Sequence, residues 1–288
     1  MLNSIRADVY RLLHGKALYV TFAVYLVLVV AQLLAGETAT VGVQIDGEEL
    51  RQELAAEGLS DAAVAQPTQA SSPEFGVQTG ILAAMTQFQT LVLLALALIY
   101  AAAATDFSSG AAQNTIAAGM PRGRLYLSKL LTSFVFIELL YLTSLLIGAL
   151  LGAVEGALGA GDAGVAASVD SANEPSAFSL LCAFGAQSLM ALALAATGTA
   201  ITFITRKGVA LNSVYPILFL GMTALLSTLT FITDFDFTPY DFLLNSSRAV
   251  AIAQLPLEQV TQILAVPAVY LVLSTVLGLV MFRKAEVR

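Results

Sequence analysis

Residues 80–152 read GILAAMTQFQTLVLLALALIYAAAATDFSSGAAQNTIAAGMPRGRLYLSKLLTSFVFIELLYLTSLLIGALLG. Two long apolar runs, 80–104 and 130–152, flank a polar insert at 105–129. A helix needs about 20 mostly apolar residues to cross a hydrocarbon core of about 30 Å, and both runs are long enough. Strands of a membrane barrel would instead alternate in polarity over about 10 residues. The insert is too polar to span and carries Arg122, Arg124 and Lys129. The stretch therefore reads as helix, basic loop, helix across a membrane.

Four further runs of the same kind lie outward of it, at 17–35, 178–204, 209–231 and 261–282. Glu138 is the one charge inside the six. The expectation is an all-α polytopic membrane protein with six transmembrane helices forming a single domain over residues 1–288. Composition agrees: 58% of the 288 residues are hydrophobic, 11% are charged, and mean hydropathy is +0.82. An ordinary soluble domain carries about 25% charged residues, so a soluble enzyme is not the default, and disorder would need low hydrophobicity. A net charge of −7 argues against nucleic-acid binding. The lone Cys182 and lone His14 exclude an intrachain disulfide, a paired-cysteine zinc site and a multi-histidine metal site.

Charge fixes the expected orientation. Six spans place eleven of the thirteen basic residues on one face: Arg6, Arg11, Lys16, Arg122, Arg124, Lys129, Arg206, Lys207, Arg283, Lys284 and Arg288. The other face keeps Arg51 and Arg248 with 16 of the 20 acidic residues. By the positive-inside rule both termini face the cytoplasm and the chain sits in the plasma membrane. In the arm before span one, Ile5, Val9, Leu12 and Leu13 recur at helical spacing, which predicts an interfacial helix over 1–15. The first run is long and no small-x-small site follows it, so 17–35 reads as a retained span rather than a secretory signal.

Three loops face outward. The first, 36–79, contains DGEELRQELAAEGLSDAAVAQ, a candidate amphipathic helix, and then a turn-rich return at 66–74. The second, 153–177, is rich in Gly, Ala and Ser. The third, 232–260, carries Phe235, Phe237, Tyr240, Phe242, Leu243 and Leu244, so it is expected to lie on or dip into the membrane as two short helices separated near Asn245.

Within the insert, Asp106, Ser108 or Ser109 is placed to cap a helix over 108–118, which Gly119 ends and Pro121 stops from continuing. Here the sequence resembles permease subunits of ABC-2-type ABC transporters, in particular the bacitracin-resistance and lantibiotic-immunity branch. That pattern has an acidic residue, a Gly, a Thr, and then G-x-S-R-x-K with a final Lys. Asp106, Gly110, Thr115, Gly119, Arg122 and Lys129 match it, Arg124 stands in for a Lys, and Pro121 replaces the usual Ser. The N-terminal helix, six spans, large first loop and apolar third loop extend the resemblance over nearly the whole chain.

The resemblance implies that the helix in the insert is a coupling helix, docking into a separate ATPase subunit. It further implies two ATPase copies, with ATP and Mg bound there, and a second permease copy or paralogue beside this chain. The transported substrate would be a peptide, antibiotic or lipid-like molecule, moved outward. The plainer reading of the insert is an ordinary basic loop. The chain has no G-x-x-x-x-G-K-[ST] phosphate loop, so no cofactor, metal or catalytic residue is assigned to it. Glu138, with Gln87 and Gln89, is the candidate translocation path; the alternative for Glu138 is a hydrogen bond to a neighbouring helix, with Gln87, Gln89, Thr202 or Tyr141 as partner. Other functional readings are an ion-coupled carrier or channel using Glu138, and a membrane scaffold or sensor partner. The acidic outer face suits a cationic peptide, although it also follows from retention of basic residues inside. Pro216 and Pro267 are expected to kink spans five and six, and Gly148 with Gly152 to permit close helix packing.

Overall fold

The computed structural model of the protein describes residues 2–35, 77–158, 176–233 and 235–284. Most of the first two outer loops, including the candidate amphipathic helix, lies outside the described residues. Among these residues the chain is all-helical. In order, the elements are α1 (Leu2–Leu13), α2 (Lys16–Ala35), α3 (Val77–Thr86), α4 (Phe88–Ile99), a π-helical turn (Tyr100–Ala104), α5 (Thr105–Ser108), α6 (Ala111–Ala117) and α7 (Arg122–Leu158). There follow α8 (Ala177–Thr205), α9 (Gly208–Pro216), a second π-helical turn (Ile217–Gly221), α10 (Met222–Thr233), a 3-10 turn (Thr238–Tyr240), α11 (Phe242–Arg248), a 3-10 segment (Ala249–Gln254) and α12 (Leu257–Lys284).

Five stretches are long and apolar enough to cross a membrane: Phe88–Ser108, Arg122–Val154, Ala177–Thr205, Gly208–Thr233 and Leu257–Lys284. A sixth is reached by counting the pair Ile5–Leu13 and Leu18–Leu33 as one span, bent by 66°. The protein is thus a multi-pass membrane protein by helix length and hydropathy. The outward faces carry the matching surface. On α7, Leu131, Val135, Leu139, Leu142, Leu146 and Leu150 form an exposed stripe at spacings of three and four, while Phe136, Ile137, Leu140 and Tyr141 are buried. An apolar stripe of this length has no place in water and suits lipid.

The α8 helix runs through the middle of the bundle, and every residue from 193 to 200 is buried. Small side chains there (Ala193, Ala195, Ala196, Gly198, Ala200) let neighbouring helices close in, as membrane helices need when no hydrophobic gain drives their contact. A second close approach joins α3 to α7: a Cβ on Gly80 would overlap the Gly148 carbonyl oxygen and come within 3.0 Å of Gly152 Cα. The Gly148–Gly152 pair therefore has a packing partner inside the same chain.

Three details differ from the sequence expectation. Span two is not one regular helix: it breaks at Gln87 and widens into a π turn at Tyr100–Ala104. Pro216 does precede an irregular turn, but α12 runs unbroken through the buried Pro267. The third loop does enter the bundle, yet its two short helices meet at Arg248–Ala249 rather than near Asn245. Asn245 lies within α11, fully buried, and its amide nitrogen donates to Pro239 O at 2.8 Å. The α11 helix starts there because Asp241 Oδ1 accepts from Leu243 N at 2.9 Å and Leu244 N at 3.4 Å, and from the Thr223 hydroxyl at 3.0 Å.

Candidate functional site

The basic segments, dispersed along the sequence, meet at one end of the bundle. The α1 helix lies there against the start of α7. Lys129, 2% exposed, donates from Nζ to Asp8 Oδ1 at 2.5 Å and also pairs with Asp106 Oδ2. Arg11 pairs with Asp106 through the other carboxylate oxygen and approaches Asp8 at 4.0 Å. Two acids and two bases thus cancel formally in a cluster whose Asp8, Asp106 and Lys129 are buried and whose Arg11 reaches the surface. It ties together α1, the end of span two and the beginning of span three. Asp8 Oδ2 is buried and has no hydrogen-bond partner among the described residues.

Aromatic packing reinforces the same end. Phe203 of α8 meets Phe107, Tyr126 and Phe282 edge-on, at centroid separations of 5.0, 5.2 and 4.7 Å. These rings come from α5, α7 and α12, so α1 and spans two, three, four and six contribute directly to the cluster or the ring packing. The fifth joins through Gly208, where a Cβ would strike the Tyr100 ring.

Among the insert residues, Asp106 and Lys129 are brought together and are buried. The expected cap does not form. Helical structure continues to Ser108, so the Ser108 and Ser109 hydroxyls bond back to Thr105 O and Asp106 O, and Asp106 is occupied by Arg11 and Lys129. The chain restarts as α6 only after Gly110, which takes φ +75°, a left-handed value that favours glycine. The expected 108–118 helix is therefore the shorter 111–117. Its end matches the prediction: Gly119 takes φ +93°, Gly119 N donates to Ile116 O at 2.9 Å and Met120 N to Thr115 O at 3.3 Å. The Thr115 hydroxyl bonds to Ala111 O within the helix at 2.8 Å. Gln113, Asn114 and Ala117 of α6 are exposed, while Ala112 is buried. Arg122 donates to Arg283 O at 3.0 Å and Phe282 O at 3.4 Å, and Arg124 is exposed.

The middle of the bundle is different in chemistry. Gln187 of α8 is fully buried; its amide nitrogen donates to Met85 O and Ser246 O, both at 3.0 Å, and its oxygen accepts from the Tyr141 hydroxyl. One amide thereby holds α3, α7 and the inserted third loop to the central helix. Gln89 donates to Leu243 O at 3.4 Å in the same loop. Glu138 accepts from the Ser188 hydroxyl at 2.7 Å, not from Gln87, Gln89, Thr202 or Tyr141, and its Oε2 has no hydrogen-bond partner among the described residues. Gln87 is buried at the break in span two. No hydrogen bond joins Glu138 to Gln87 or Gln89 among the described residues, so the three do not form one site by direct contact. No group of three or more His, Cys, Asp or Glu able to hold a metal occurs among the described residues.

The sequence reading missed Asp8, Gln187 and Ser246. Asp8 left a signal, since it and Asp106 are exceptions to the segregation of acids onto the other face. Gln187 and Ser246 left little, because their partners are backbone carbonyls or lie far away in sequence. Comparison with known protein families, with curated proteins and with solved structures finds no match to this chain.

Proposed function

We propose that the chain is the membrane-spanning permease subunit of an ATP-driven exporter, with α6 as the element that engages a separate ATPase. One observation carries this reading: a short helix bounded by two left-handed glycines is presented beside a buried ion cluster that ties the spans before and after it to α1. A force on α6 would reach both spans through fixed contacts. The insert residues divide accordingly: Asp106 and Lys129 anchor the helix, Gly110 and Gly119 set its limits, Thr115 stays within it, and Gln113, Asn114 and Ala117 face the partner. In this reading the basic end is cytoplasmic, as charge asymmetry favours. ATP and Mg bind in two partner ATPase subunits. A second permease copy or paralogue completes the path, and the cargo is a peptide, antibiotic or lipid-like molecule.

The test is capture of the tagged full chain from its native host in mild detergent. A near-stoichiometric soluble ATPase is expected, and replacing 111–117 by Gly and Ser should remove it while membrane insertion persists. Recovery of the chain alone, under conditions that preserve a known ABC complex, would sink the proposal. The unpartnered Oε2 of Glu138 favours an ion-coupled carrier as the second reading. For that reading, Glu138→Gln should abolish proton- or sodium-dependent uptake in vesicles containing the chain alone.

A further inference from the structure

At the basic end, the start of α7 and the finish of α12 leave an open groove of about 520 Å³ between them. It is lined by Pro121, Arg122, Gly123, Arg124, Leu127, Leu279 and Arg283. Three of the seven are arginines, and they come from two helices. Arg122 is held by the last carbonyls of α12, which fixes its guanidinium at the groove wall. The Arg283 guanidinium lies over Gly123, where a Cβ would meet Nη2 at 3.5 Å. Neither Arg124 nor Arg283 forms an ion pair among the described residues.

The groove is not polar throughout. Leu127 and Leu279 also line it, and exposed apolar residues continue the same two helix faces away from the arginines: Leu131 and Val135 on α7, and Val276 and Val272 on α12. A ligand filling this place would carry negative charge at one end and hydrocarbon at the other. Arginine suits phosphate because its planar fork donates two parallel hydrogen bonds. Basic pockets between membrane helices at the level of the headgroups are known to take anionic lipid headgroups. We infer that this groove is a binding site for an anionic phospholipid, with the phosphate among Arg122, Arg124 and Arg283 and the acyl chains along the α7–α12 seam. This assigns Arg122 and Arg124 to lipid rather than to the ATPase partner. It does not depend on the transport reading.

The experiment is native mass spectrometry of the purified full chain, titrated with phosphatidylglycerol or phosphatidylcholine. Phosphatidylglycerol adducts should persist at lower lipid concentration. Each arginine changed to Gln should weaken them by about fivefold. Gly123→Leu, which fills the groove without altering charge, should weaken them too. Lys207→Gln, removing one charge elsewhere at the same end, should leave them unchanged, and gel-filtration profiles of all variants check that the fold is intact. Equal retention of the two lipids would overturn the inference. So would displacement of phosphatidylglycerol by Lys207→Gln as strong as by Arg283→Gln, or binding of inorganic phosphate with no preference between lipids. If the arginine variants lost a protein partner but kept their lipid adducts, the groove would be a protein contact and the inference would fall.

Discussion

Two buried polar regions hold this molecule together, and they use opposite chemistry. At the basic end four charged side chains, Asp8, Arg11, Asp106 and Lys129, are joined where spans leave the apolar layer. In the middle a neutral amide, Gln187, does the joining, with two backbone carbonyls and a tyrosine hydroxyl as partners. The difference follows from depth. A charge at mid-bilayer costs roughly 2.5–3.5 kcal/mol on insertion scales, whereas an amide carries no net charge to desolvate. Near the headgroups an ion cluster is tolerated, provided its charges balance. The contrast also separates what can be removed safely. Neutral partners lose hydrogen bonds when one is deleted, but ionic partners become uncompensated charges.

The largest effect should therefore come from Lys129→Met. It leaves Asp8 and Asp106 buried with only the half-exposed Arg11 to offset them. Removing one member of a buried ion pair costs about 3–5 kcal/mol, and this site should lie in that range. Thermal unfolding in detergent, read by loss of the monodisperse gel-filtration peak, checks it. The comparison sharpens with a second variant, Lys129→Met combined with Asp8→Asn and Asp106→Asn. If uncompensated charge is the cause, the triple variant should be more stable than the single one. If lost packing is the cause, it should be less stable.

Gln187→Leu tests the neutral region. It removes two donated bonds and one accepted bond while keeping similar volume. Hydrogen bonds between membrane helices average well under the worth suggested by a dry environment, so the expected loss is about 2 kcal/mol. Because Ser246 O is one of the acceptors, protection of the 241–254 loop in hydrogen exchange should fall before global stability does. A loss as large as that of Lys129→Met would break the comparison.

A smaller effect belongs to Gly110→Ala. A Cβ there meets nothing within 4 Å, so only the left-handed backbone at φ +75° opposes it. That strain costs about 1 kcal/mol, felt at the start of α6. Proteolysis in the 107–118 stretch should quicken while the melting temperature barely moves.

Much of the architecture was legible because lipid imposes a length and a polarity that sequence displays directly. The spans, the basic end and the left-handed Gly119 follow from runs, charges and punctuation read locally. The entry of the third loop was visible in its phenylalanines and leucines. What could not be read is what depends on partners distant in sequence. Asp106 looks like a helix cap beside Ser108 and Ser109; only the approach of Lys129 from the next span, and of Arg11 from 95 residues away in sequence, makes it an anchor. Glu138 finds Ser188 on α8, 50 residues away, rather than a glutamine of span two, a choice that depends on how the two helices face each other and that a hydropathy pattern does not display.

The smallest effect is expected from Arg11→Gln, and it is the one that tests the cluster most finely. Arg11 and Lys129 both touch Asp106, yet the Lys129 side chain is 3% exposed and that of Arg11 is 41% exposed. Water screens an exposed partner, and such pairs are typically worth under about 1 kcal/mol. Lys129 remains on Asp106 in the variant, so the carboxylate keeps a counter-charge. The glutamine amide retains donors for Asp106 as well. Stability should then fall by less than about 1 kcal/mol, and the fall should shrink as salt is raised, because salt screens the exposed pair first. The same salt series on Lys129→Met should leave its larger loss nearly unchanged, since salt does not reach a buried charge. If both losses shrank alike, the cluster would be open to water, and its role as a rigid tie between α1, span two and span three would fail with it.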